Sequence, residues 1–212
     1  MQYLCRMVVM TLLTTMMALP ATTLATQSIY NDADSLKPYT ACKLEGDLEV
    51  KEITRRANSG SEYREVTTAK GKERVSVADG YRVMFAYKDV GYFYANVKLE
   101  QSDAQSYAQD KEIVINQLRH FSSSKQARMM VVADKTMLSG FEHFAIERDA
   151  IDVGNLIGIH LLLYDKGKII ITIYFLNQEK KKRRFNSIEE FRALREGFLN
   201  RYAECLIGVA RH

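Results

Sequence analysis

The chain contains no Walker-type phosphate loop, no G-x-S-x-G nucleophile elbow, no H-E-x-x-H pair and no C-x-x-C. These motifs carry nucleotide, acyl-transfer, zinc-protease and thiol-redox chemistry, so their absence lowers the odds of the common enzyme classes without excluding a rare one. No Asn-X-Ser/Thr glycosylation acceptor occurs, which fits a bacterial periplasm. Cysteine and proline are scarce, at 3 and 2 in 212 residues. The net charge of +4 is mild, and nucleic-acid binders concentrate basic residues on one face, so no nucleic acid is inferred. The remainder is that of an ordinary globular protein, 47% apolar and 26% charged, and long enough for one domain with a proper core.

The first residues read as a leader, not as part of the fold. Arg6 supplies a positive charge, Met7–Leu19 is apolar, and Pro20 precedes small residues at Thr23 and Ala25. That is the order of a secretory signal peptide, 1–25, with cleavage after Ala25 or, as the competing site, Ala21. An uncleaved anchor is disfavoured, because about 13 apolar residues fall short of the ~20 needed to cross a bilayer. Cys5 precedes the apolar region, the wrong place for a lipid-modified N-terminus. The expected product is periplasmic or secreted, with no stable membrane span.

Export changes how the cysteines read. Losing Cys5 leaves Cys42 and Cys205 near opposite ends of the mature chain. In an oxidising compartment they would form one disulfide tying the N-terminal segment to the last helix, stabilising by about 4 kcal/mol in the entropic model. The alternative is two separate thiols, with Cys205 a small apolar residue on a buried helix face.

Two apolar runs, Leu156–Tyr164 and Ile169–Leu176, flank Asp165-Lys166-Gly167-Lys168. This predicts a β-hairpin with Gly167 supplying a positive φ. Neither run alternates, so both strands should be covered on two faces at the centre of a sheet. Amphipathic helices over 103–122 and 187–207 are the proposed covers. Ser102 with Gln105 and Ser187 with Glu190 have capping-box spacing, and Gly208 lies just past the second helix. Residues 26–46 read as a loosely ordered lead-in containing Pro38, and 47–212 as a single domain. Within it, 47–57 is a candidate strand, Asn58–Ser61 a turn, 62–69 with 73–78 an exposed hairpin, 81–87 with 91–99 a second, and 128–139 with 141–149 two strands split by Gly140. Tight turns between strands predict a mainly antiparallel sheet, hence α+β.

Four features are weighed as sites. His143, Glu147 and Asp149 share a strand face, but four strand residues span roughly 13 Å, too far to hold one ion. His160 reads as a core histidine bonded to a neighbour, with Thr172 across the pair as the partner, and no metal or cofactor is expected. His120 ends its helix and complements the negative C-terminus. The basic run Lys180-Lys181-Lys182-Arg183-Arg184 is a solvated loop or a contact for an anionic surface, whether protein, lipid headgroup or cell-wall polymer. Tyr81, Tyr87, Tyr92 and Tyr94 cluster on adjacent strands, as edge-of-core packing or as a binding face.

The element order over about 80–210, Gly140 opening a strand, and Phe185-Asn-Ser-Ile-Glu-Glu-Phe191 opening the last helix resemble the PsbP-like fold. That resemblance implies an antiparallel sheet flanked by two amphipathic helices. It also implies a binding or accessory role without catalysis, since the fold is shared by a photosystem accessory protein, a nuclear-import cofactor and exported bacterial proteins. It carries over no site residues. The sequence therefore leads to an exported binding or accessory protein acting through protein contacts. The alternatives are a small-ligand carrier, which needs a cavity between the sheet and one helix, and an unfamiliar hydrolase or metal-dependent enzyme, which needs His143 or His160 in a cleft.

Overall fold

The computed structural model describes residues 36–40, 42, 44, 48–55, 63–87, 93–123, 130–149, 156–177 and 185–210. In chain order the elements are α1 (Lys37–Thr40), β1 (Leu48–Arg55), β2 (Tyr63–Thr68), β3 (Gly71–Tyr87), β4 (Phe93–Ser102), α2 (Tyr107–Ser122), β5 (Met130–Leu138), β6 (Phe141–Arg148), β7 (Leu156–Tyr164), β8 (Ile169–Asn177) and α3 (Ile188–Ala210). The strands form one 8-stranded sheet in the order β1-β3-β4-β8-β7-β6-β5, with β2 beside β3. Every pairing among the described residues is antiparallel. Residues 1–25, read above as a signal peptide, Asn58–Ser61, read as a turn, Tyr92 and Lys180–Arg184 lie outside the described residues.

The apolar hairpin β7–β8 occupies the middle of this order, and its composition follows from that place. Successive strand side chains point to opposite faces. Ile169, Ile171, Ile173 and Phe175 of β8 pack in one core with Phe191, Phe198 and Tyr202 of α3. Ile170 packs in a second core with Ile113, Val114 and Leu118 of α2. A strand with a core on each face has no polar face, so it reads as a nearly continuous apolar run.

Several local expectations are corrected. Gly167 does not carry the positive φ of the hairpin; Lys168 does, at 53°. Gly167 is needed for space, because a Cβ there would stand 2.9 Å from both Ile169 Cδ1 and Tyr164 Cδ1. Residues 73–78 and 81–87 are not separate strands but parts of the 17-residue β3, in which Asp79 and Gly80 pair with Gln101 and Glu100 just after a register shift between Val77 and Asp79. The ladder continues on both sides of that shift. The 62–69 and 73–78 hairpin is exposed on one face only, since Val66, Val75 and Val77 are buried beneath α2.

The first capping box does not form. Ser102 ends β4 opposite Val77, and its hydroxyl donates to the Asp110 carboxylate. The helix starts later, with Ser106 at the N-cap and no side-chain cap bond. The second box holds in part: Ser187 Oγ accepts the Glu190 N–H at 3.2 Å, while the Glu190 carboxylate reaches back to the Asn186 N–H at 2.7 Å. Gly208 lies inside α3 instead of ending it. Among the described residues of the lead-in, Leu36 and Cys42 are each 1% exposed in the α3-side core. Cys42 is joined to Cys205 of α3, Cα to Cα 5.7 Å, across a sequence separation of 163. Among the described residues no helix is long and apolar enough to cross a membrane.

Candidate functional site

On the α3 side of the sheet a line of polar side chains runs through β5, β6 and β7. His143 and Glu147 belong to β6, with Ala145 between them on the same face. His160 of β7 pairs with Ala145, and Gly158 pairs with Glu147. The small residues at 145 and 158 leave room for the His160 ring, which fills the gap that keeps His143 and Glu147 apart. His143 Nε2 is 2.8 Å from His160 Nδ1, and His160 Nε2 is 2.9 Å from Glu147 Oε1. The two rings lie within 14° of a common plane with centroids 5.1 Å apart, so they meet edge to edge. At one end Thr136 Oγ1 is 3.0 Å from His143 Nδ1. At the other, Arg195 of α3 grips the carboxylate with Nε 2.7 Å from Oε1 and Nη2 3.1 Å from Oε2, and Arg192 Nε is 3.8 Å from Oε2.

The electrostatics assign the protons along this line. Burial works to raise the Glu147 pKa, but His160, Arg195 and Arg192 outweigh it and hold the carboxyl ionised. Burial, then His160 and Arg195, push His143 down to about 4. Burial also holds fully enclosed His160 below its ordinary value, against the pull of Glu147. Both rings are therefore neutral at neutral pH, each with one N–H. A carboxylate only accepts, so His160 Nε2–H donates to Glu147. His160 Nδ1 then accepts from His143 Nε2–H, and His143 Nδ1 accepts from the Thr136 hydroxyl. Every proton has one place.

The opposite face carries a cleft of about 460 Å³ between α2 and the sheet. Val66, Val114, Leu118, Phe121, Leu156, Ile159 and Leu161 make its walls apolar, and Glu65, Gln117, His120, Thr172 and Tyr174 add polar groups. Thr172 interrupts the apolar residues of β8 on this face, between Ile170 and Tyr174. It pairs with Leu161, not with His160, and lies on the face away from the histidine line, which corrects the expected His160–Thr172 bond. His120 lines the cleft as well as ending α2.

Among the residues singled out from sequence, Tyr81 and Tyr87 are each 6% exposed in the α3-side core and present no exposed aromatic face. The Tyr87 hydroxyl donates to the Leu194 carbonyl at 3.1 Å and accepts from Arg201 Nη2 at 2.8 Å. Tyr94 is half-buried, and Asp149 is exposed beyond β6. Among the described residues no group of three or more His, Cys, Asp or Glu side chains could hold a metal ion. Comparison with family models, with curated proteins and with solved structures gives no match to this chain.

Proposed function

We propose that the chain is an exported binding protein, a PsbP-like sheet flanked by two helices, that holds a small amphipathic ligand between α2 and the sheet. The observation that carries this reading is the cleft. Its volume of about 460 Å³ falls within the range of small-molecule sites, and apolar walls with a few polar groups are what such sites use to bind and orient a ligand. The wall chemistry selects an amphipathic molecule with an aliphatic or aromatic body. One hydrogen-bonding end would meet Gln117, His120 or Thr172. The tethered lead-in and the disulfide pair suit an oxidising compartment.

The test is titration of the folded, oxidised protein with 1-anilinonaphthalene-8-sulfonate and with a polyene fatty acid. Saturable one-to-one fluorescence enhancement is expected. Thr172→Phe, which fills the cleft from β8, should abolish it while leaving the circular dichroism and melting temperature unchanged. Unsaturable binding, or saturable binding untouched by Thr172→Phe, would remove the cleft as the site.

A further inference from the structure

The Thr136 line stands on the other face of the sheet, independent of the cleft. Thr136 sits on β5, the last strand in the sheet order, just after a register break between Ala133 and Thr136. Such breaks re-aim side chains and are over-represented beside active sites. Thr136 itself is exposed, whereas His160 is 1% exposed and Glu147 15%. A hydroxyl open to solvent is thus attached to the half-buried His143, and His143, through the enclosed His160, to an ionised carboxylate held by arginine. Nucleophile bonded to base, with the base oriented by a third group, is the arrangement that activates a hydroxyl.

We propose that Thr136 is a nucleophile that accepts an acyl group from a small carboxylic ester, with His143 as its general base. Thr136 Oγ bonds to the ester carbonyl carbon as its proton passes to His143 Nδ1. The His143 Nε2 proton moves toward His160 Nδ1, and the His160 Nε2 proton toward Glu147, which spreads the positive charge to the carboxylate. The carbon–oxygen bond to the leaving alcohol breaks, and the alcohol recovers the proton from His143. Water, deprotonated by the same ring, then releases the acid and restores Thr136. His160, Glu147 and Arg195 are positioning residues: they fix the His143 tautomer with its lone pair on Nδ1, facing the hydroxyl. A low basicity for His143 keeps the ring in its accepting form at every pH above about 4.

The experiment exposes the folded, oxidised protein to p-nitrophenyl acetate and maps acetylation by peptide mass spectrometry. An acetyl group on the peptide holding Thr136 is expected, absent in Thr136→Val and retained in Thr136→Ser. Its rate should rise through about pH 4 and then level off, whereas acetylation of surface lysines climbs toward their alkaline pKa. His143→Gln should slow labelling of Thr136 about 100-fold. Acetyl groups on lysines alone would overturn the proposal. So would Thr136 labelling that keeps climbing with pH, or that proceeds at full rate in His143→Gln. Thr136 is exposed on an edge strand, so the Val and Ser variants fold and decide the matter whatever His143→Gln does to stability.

Discussion

His143 shows how a half-buried residue makes stability depend on pH. Its folded pKa of about 4 lies below the ordinary 6.5. Between these values the unfolded chain binds the proton and the folded one does not, so stability is present in full above about pH 6.5 and is lost progressively down to about 4. The shift corresponds to about 3 kcal/mol as an upper figure. His160 is displaced in the same direction, and depressed Glu147 adds a loss at still lower pH, as it protonates and releases Arg195 and Arg192. Urea unfolding at a series of pH values should therefore show a steep decline below pH 6.5, flattened in His143→Gln. A rise in stability toward acid pH would contradict the neutral assignment of both rings. Tyr202 makes the opposite kind of prediction. Its hydroxyl is fully buried and has no hydrogen-bond partner among the described residues, and burial raises its pKa far above the ordinary tyrosine value. Removing an unsatisfied buried oxygen without changing the ring should stabilise, so Tyr202→Phe is expected to gain about 1 kcal/mol in thermal or urea unfolding.

At the scale of elements, the β7–β8 hairpin joins sequence to structure most directly. Its place at the sheet centre was readable because two covered faces leave no polar alternation. Its turn was misread, because a glycine in a tight turn is first taken for a dihedral requirement. Here φ > 0 falls on Lys168, and Gly167 makes room for Tyr164 and Ile169. Gly167→Ala should accordingly cost about 1–2 kcal/mol by overpacking, measurable as a lowered urea midpoint, although the backbone there suits any residue. The polar line was half legible. The shared face of His143 and Glu147 follows from strand periodicity, but the residue that joins them is set by register between β6 and β7, which no local pattern specifies. The cleft was foreseen only as a condition for a carrier, since helix-to-sheet spacing depends on how side chains from distant elements fill the gap. The failed capping box at Ser102 has the same origin: tertiary pairing with β3 claimed a residue whose local signal favoured a helix.

For the whole molecule the disulfide dominates. It links α3 to the segment just after α1 and closes a loop with a sequence separation of 163. Limiting the unfolded chain over that distance is worth about 5 kcal/mol in the entropic account. Reduction with dithiothreitol should lower the unfolding free energy by that order, and Cys42→Ser with Cys205→Ser should reproduce the loss without reductant. A melting temperature indifferent to reductant would mean that packing of Leu36 and Cys42 already fastens the segment. The pairing was an open alternative in the sequence, because residues 26–46 carry no pattern that tells a docked lead-in from a free one. Only the burial of Leu36 and Cys42 against the α3-side core decides it.

The sheet order has a consequence for how the chain matures. A polypeptide emerging N-terminus first completes β1 to β4 while the second edge of β4 has no neighbour, because β8, which covers it, comes after α2, β5, β6 and β7. Pairing across such a distance is slow, and an open edge in the meantime recruits strands from other chains. The sheet thus closes only after β8, which ends at Asn177, is free, and until then the open β4 edge is where pairing with another chain competes with folding.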